Sequence, residues 1–157
     1  MTHIHMTTFI AAPVERVFDL SRNLTVWKYV FNNRKEIFSS GAGSKLIDKG
    51  DTITLMVKHA GKMRSSMLKI THLQKPVSFT EEQVKGDLEN FRHEHHFKRV
   101  DNGSILIDLV YFGSPTDLLG RFLGKRYLRK YLEGLIRKRN EIIRHYAETE
   151  SWRAVLT

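Results

Sequence analysis

Apolar and polar residues alternate from the start of the chain. Ile4, Met6, Thr8 and Ile10 share one side of segment 3–10, with the two-residue period of a half-buried strand. Pro13 then stands at the first position of a short helix, with Val14, Val17 and Phe18 at helical spacing. Asn23 suits the cap of a second short helix, whose apolar side carries Leu24, Trp27, Val30 and Phe31. Between 35 and 112 the two-residue period returns, predicting strands at 36–39, 51–59, 63–74, 78–85, 89–100 and 104–112. Ala60-Gly61-Lys62 and Asp101-Asn102-Gly103 read as hairpin turns, Lys75-Pro76 ends a strand, and Gly86-Asp87 turns the chain. Consecutive hairpins of this kind build an antiparallel meander.

After Gly113 the period changes to 3.6. Ser114 can cap, Pro115 suits a first turn and Asp117 favours the positive end of a helix. The apolar stripe of the long helix that follows runs through Leu118, Leu119, Phe122, Leu128, Leu132, Leu135, Ile136, Ile142, Ile143 and Tyr146. Gly120, Gly124 and Gly134 each cost such a helix about 1 kcal/mol relative to Ala. Close approach to the sheet, or room for a ligand, would account for them. Residues after Glu148 read as a fraying end, so the expected organisation is one domain over 1–150 and a tail over 151–157.

A chain of 157 residues can bury one substantial core. It has no cysteine, which excludes disulfides, thiolate metal sites and thiol nucleophiles. The N-terminus lacks the basic-then-apolar pattern of a secretory signal, and no run of about 18 apolar residues occurs. A soluble, cytoplasmic protein is the expectation. The net charge of +9 and pI near 9.9 are concentrated, with nine of the 26 Lys and Arg residues between Arg121 and Arg144. Lys125, Arg126, Arg129, Lys130, Arg137 and Lys138 therefore offer peripheral contact with an anionic membrane or an acidic partner, against the plainer reading of a solvated helix face. No nucleic-acid-binding motif accompanies the run, and no nucleic acid is expected as a partner.

The order strand, two short helices, six-stranded meander and long terminal helix resembles the START-like superfamily, also called SRPBCC. The opening Phe9-Ile10-Ala11-Ala12-Pro13-Val14-Glu15-Arg16-Val17-Phe18-Asp19-Leu20 is similar to that family's first strand and helix. Phe91-Arg92-His93-Glu94-His95-His96-Phe97, Tyr111-Phe112-Gly113-Ser114-Pro115 and the basic helix over 129–140 resemble an uncharacterised bacterial subgroup. The resemblance implies an α+β helix-grip fold, in which a seven-stranded curved antiparallel sheet and the helices enclose a cavity. It implies no single activity, because the superfamily includes lipid carriers, hormone binders, polyketide cyclases and interaction modules.

The same alternation locates candidate chemistry. Phe91, His93, His95 and Phe97 share a face, as do Ile53, Leu55, Val57 and His59. Phe79 is in phase with Glu81, Gln83 and Lys85, although the opposite phase carries Val84. An inward set of His59, Glu81, His93 and His95 would form a polar centre. Two imidazoles two residues apart on a strand can reach one divalent metal, yet no third ligand declares itself, and neither a metal nor a cofactor is expected. His93 or His95 could instead act as a base beside Glu81, or the group could anchor oxygen atoms of a ligand, or simply form a satisfied network in a packed barrel. The expected cavity lining is Ile53, Leu55, Val57, His59, Leu68, Ile70, Phe79, Phe91, His93, His95, Phe97, Leu119, Phe122 and Leu132. Gly41-Ala42-Gly43-Ser44-Lys45 lacks the order of a nucleotide-binding loop, and Ser65-Ser66 lacks the elbow sequence of a serine hydrolase. Binding of a hydrophobic lipid, quinone or polyketide-type molecule is the first reading. An aromatase, cyclase or dehydratase-type enzyme is the second, and an interaction module using the basic helix is the third.

Overall fold

The computed structural model describes residues 1–31, 36–41, 43–59, 62–115 and 118–157. The expected turn at 60–62 and the helix start at 116–117 thus fall wholly or partly outside the described residues. Strand β1 (Thr2–Ile10) leads into helices α1 (Val14–Ser21) and α2 (Leu24–Phe31). The meander follows as β2 (Glu36–Ser40), β3 (Thr52–His59), β4 (Lys62–Gln74), β5 (Ser78–Lys85), β6 (Arg92–Val100) and β7 (Gly103–Phe112). Helix α3 (Leu118–Glu148) and a short α4 (Arg153–Leu156) complete the chain. All seven strands form one sheet in the order β1-β7-β6-β5-β4-β3-β2, with every pairing antiparallel.

Local sequence explains the helix positions. Val14, Val17, Phe18 and Ser21 recur at helical spacing and are buried, so α1 presents a full stripe to the sheet. Asn23 caps α2 by accepting from the backbone N–H groups of Thr25 and Val26. Its amide donates to the carbonyl of Val155 at 3.0 Å, which ties α2 to the chain end. The last residues, expected to trail, instead coil into a short 3-10 turn over Glu150–Trp152 and then α4, with Val155 in the core. One buried valine and one buried amide are enough to anchor the segment.

The main core lies beneath α1, α2 and the C-terminal half of α3, where Ile143 and Ala147 meet Ile10, Phe18, Phe79 and Leu106. A smaller cluster of Ile4, Val110, Phe112 and Ile136 lies further toward the helix start. The long helix is not continuous as its periodicity predicts. Gly124 adopts φ 80° and ψ 160°, a backbone state that favours glycine and breaks the helical path. Gly134 differs again: it is exposed in regular helix and a side chain there would meet nothing within 4 Å, so it does not serve close packing.

Candidate functional site

Three neighbouring strands deliver a charged cluster to the concave face of the sheet. On β6, alternation turns His93, His95 and Phe97 inward. Glu81 of β5 stands directly opposite His93, and Asp108 of β7 directly opposite His95. Cross-strand partners on one face are near enough to interact, so the register alone assembles four titratable groups. Helix α3 lowers Arg139 and Asn140 onto the same spot, in the buried stripe between Ile136 and Ile143.

The hydrogen bonds are nearly exhaustive. Glu81 Oε1 accepts from His95 Nε2 at 2.8 Å and lies 3.1 Å from His93 Nδ1. Asp108 Oδ1 accepts from His93 Nε2 at 2.9 Å and from Arg139 Nη2. Asn140 Nδ2 bridges Asp108 Oδ2 at 2.8 Å and Thr8 Oγ1 at 3.0 Å. Arg139 Nη1 approaches His95 Nδ1 at 2.9 Å. His95 Nδ1 also lies 3.1 Å from Asp108 Oδ1, but a guanidinium can only donate, so with Nδ1 accepting from Arg139 the proton of His95 sits on Nε2, facing Glu81. Arg139 also donates to Asn140 Oδ1 through Nε and Nη2.

Electrostatics follow from these contacts. Burial pushes the Glu81 carboxyl up, but the hydrogen bonds from His93 and His95 outweigh it and hold the group at about 2. Asp108 is likewise raised by burial, yet the Arg139 guanidinium and both histidines bring it well below the usual carboxylate range. Burial opposes charge on His93, but its bonds to Asp108 and Glu81 prevail and raise it. His95 is lowered, by burial and by the charges of His93 and Arg139. The two carboxylates are therefore set against Arg139 and a His93 that holds its proton more tightly than a free imidazole, while His95 between them holds one less tightly. Pairing is the condition under which ions persist in an interior.

Beside this cluster lie two joined hollows. The outer, of about 160 Å³, is walled by Leu55, Val57, Leu68, Phe91, Tyr131 and Leu132, is edged by Gly124 at the helix break, and also carries Arg64, Ser65, Ser66, Gln83 and Asp87 in its lining. The inner, of about 80 Å³, shares the walls Phe31, Leu55, Leu68, Phe91, Leu132 and Leu135. Its remaining lining includes Glu81, His93 and Arg139, so the charged cluster forms the polar end of an otherwise apolar inner hollow.

Of the residues expected to line a cavity, Leu55, Val57, Leu68, Phe91, His93 and Leu132 do so. Ile53, Ile70, Phe79 and Phe97 share the inward face but lie in packed core and line neither hollow. Phe18 of α1 fills the face there, with its ring centroid 6.0 Å from Phe79 and 5.0 Å from Phe97. Alternation fixes which face a residue takes, but not where along the strand a helix presses on it. His95 is enclosed too, stacked 4.1 Å from Phe79 and 3.8 Å from His93. The side chains of His59, Leu119 and Phe122 lie outside those described.

Sequence reasoning missed Asp108, Asn140 and Arg139, the last of which it placed in the basic run. The signals were present. Ser104, Leu106, Asp108, Val110 and Phe112 occupy the buried phase of β7, and Ile136, Arg139, Asn140 and Ile143 follow the i, i+3, i+4, i+7 spacing of a buried stripe.

Glu81, His93 and His95 also present one donor atom each within 4.8 Å of one another, so Glu81 supplies the third group that a strand-borne His-x-His pair requires. In the present arrangement these atoms are hydrogen-bonded to one another. An ion would have to displace the protons that join them.

A seven-stranded sheet curled around a C-terminal helix, with hollows between the two, is the expected helix-grip fold. The chain resembles the crystal structure of TTHA0849 from Thermus thermophilus, with TM-score 0.70 and 16% identity, over 90% of this chain and 97% of that one. It also resembles Ara h 8.0201, with TM-score 0.67 and 12% identity, over 93% and 97% of the two chains. The di-domain ARO/CYC StfQ from the steffimycin biosynthetic pathway gives TM-score 0.70 and 12% identity, over 95% of this chain and 51% of that one. At these identities the likeness is one of fold. No family model and no curated protein sequence matches the chain. No helix among the described residues is long and apolar enough to cross a membrane.

Proposed function

We propose that this chain is a cytoplasmic, single-domain binding protein that holds a hydrophobic small molecule of lipid, quinone or polyketide type in the joined hollows between its sheet and α3. The observation that carries the reading is the lining of the inner hollow: apolar walls lead to one polar end made of Glu81, His93 and Arg139. Such a site supplies transfer free energy along the body of a ligand and orientation at one end. The exposed Lys125, Arg126, Arg129 and Lys130 flank the helix break that edges the outer hollow, which suits docking on an anionic membrane or an acidic partner during loading. Arg137 is exposed too, whereas Lys138 spends its ammonium on the carbonyl of Val30.

Catalysis of an aromatase, cyclase or dehydratase type is the second reading, favoured by a buried histidine pair, of which His93 lines the inner hollow, in a fold shared with an ARO/CYC protein. The geometry supports it less well. Every ring nitrogen of His93 and His95 is already engaged, and a carboxyl held at about 2 is a poor base near neutral pH. Any such reaction would depend on shaping the substrate more than on proton transfer.

Native mass spectrometry of the protein as purified, against the same sample after denaturing organic extraction, tests the binding reading. A discrete additional mass that disappears on extraction is the expected result. A bare mass, with no uptake from a panel of isoprenoid quinones, fatty alcohols and aromatic polyketides, would overturn it.

A further inference from the structure

Glu81 carries a feature that the network does not explain. Its Oε1 is shared by two histidines, while its Oε2 is the one buried side-chain polar atom without a hydrogen-bond partner among the described residues. An ionised carboxylate oxygen left bare in an interior is costly, because it has given up water and received nothing in exchange. The residue also lines the inner hollow, where the other charged groups among the described residues are His93 and Arg139. Those two cations are spent. Both His93 nitrogens face carboxylates, and all three Arg139 nitrogens donate to Asn140, His95 or Asp108.

We propose that the natural ligand ends in a neutral hydroxyl, phenol or enol, which donates to Glu81 Oε2 from the inner hollow, and that ligands ending in a carboxylate are rejected. The inference rests on the binding reading above and narrows it. A hydroxyl would complete the carboxylate through a charge-assisted O–H···O⁻ bond, among the stronger and shorter kinds. A carboxylate would instead set a like charge against Glu81 in a space where His93 and Arg139 are already paired with carboxylates. Size agrees with a compact body: a dry cavity of roughly 150 Å³ accepts benzene, and the outer hollow alone measures about 160 Å³. One or two rings, or a short branched chain, fit with the polar atom in the smaller inner space. Free fatty acids and other amphiphilic acids are thereby disfavoured relative to phenols, quinols and enolised ketones.

The test compares three probes of matched shape at neutral pH by calorimetric or fluorescence titration: 2-naphthol, 2-methoxynaphthalene and 2-naphthoate. The expected order places 2-naphthol about tenfold or more tighter than its methyl ether, which keeps the ring but loses the donor. The naphthoate should bind more weakly still, and Glu81→Gln should narrow the naphthol-to-naphthoate ratio by about tenfold. Should Glu81→Gln fail to fold, the ranking on the unaltered protein decides. Naphthoate binding as tightly as naphthol, or methoxynaphthalene matching it, overturns this inference while leaving the binding reading in place. No binding of any of the three, together with a bare mass and an inert panel in the experiment above, removes both.

Discussion

The imidazole rings of His93 and His95 stand 3.8 Å apart on the same face of one strand, yet their affinities for a proton are shifted in opposite directions. The difference arises in what each ring faces. His93 points one nitrogen at Asp108 and the other at Glu81, so both favour a proton. His95 likewise faces Glu81 at Nε2 and has Asp108 Oδ1 3.1 Å from Nδ1, but the guanidinium of Arg139 stands 2.9 Å from that same Nδ1 and its charge opposes a proton there.

This asymmetry predicts a dome in stability against pH. His93 is raised above its ordinary 6.5, so its contribution is complete below that pH and is lost as pH rises through the folded value. His95 is lowered below 6.5, so the folded protein resists a proton that the unfolded chain accepts, and stability falls as pH drops beneath 6.5. Glu81, at about 2 in the fold, and Asp108, well below its ordinary 3.8, deepen the acid-side loss once the unfolded carboxylates begin to protonate. Urea denaturation from pH 3 to pH 9 should therefore peak near 6.5, and His93→Gln should flatten the alkaline limb. A monotonic profile over that range would contradict the assignment.

Two cations two residues apart on α3 should respond very differently to removal. Arg139→Met leaves Asp108 in the interior without its guanidinium partner, with only the histidines beside it, and should cost about 3–5 kcal/mol. Arg137→Met, on the exposed face, should stay within about 0.5 kcal/mol of the unaltered protein. Chemical denaturation of both variants in one buffer measures the contrast. Equal losses would mean that Arg139 is not held in the network.

Much of this arrangement was legible in the chain before any fold was drawn. Alternation on β6 places His93 and His95 inward, and the phase of Phe79 brings Glu81 with them. The register that sets Glu81 opposite His93 and Asp108 opposite His95 is tertiary information, and no single strand contains it. Arg139 was hidden differently. Embedded among Arg137, Lys138 and Asn140 it looks like surface charge, and only its spacing from Ile136 and Ile143 reveals a buried position. The extent of the cavity was the least legible feature, because it depends on where Phe18 fills the sheet and where the helix breaks at Gly124.

Gly134 and Gly124 of α3 make a second contrast. Gly134 sits in regular helix with open space where a side chain would go, so Gly134→Ala should stabilise the protein by about 1 kcal/mol and raise its Tm. Gly124 also has open space, but its φ of +80° penalises any L residue, so Gly124→Ala should lower Tm despite the lack of a clash. A rise in both would show that the chain at 124 can return to helix without loss.

Leu132 lies in the wall common to both hollows, which makes it the place to separate ligand binding from stability. Leu132→Trp adds an indole where the structure leaves space, so the extra volume replaces void and not neighbouring side chains. The expected outcome is a fold retained to within about 1–2 kcal/mol by denaturation, and affinity for 2-naphthol reduced at least about tenfold, since the ligand must now evict a covalently held ring. An additional mass seen on the unaltered protein should vanish from the variant as well. If the variant folds and binds 2-naphthol unchanged, the ligand sits elsewhere on the protein, and neither Glu81 nor the apolar walls around Leu132 form its site.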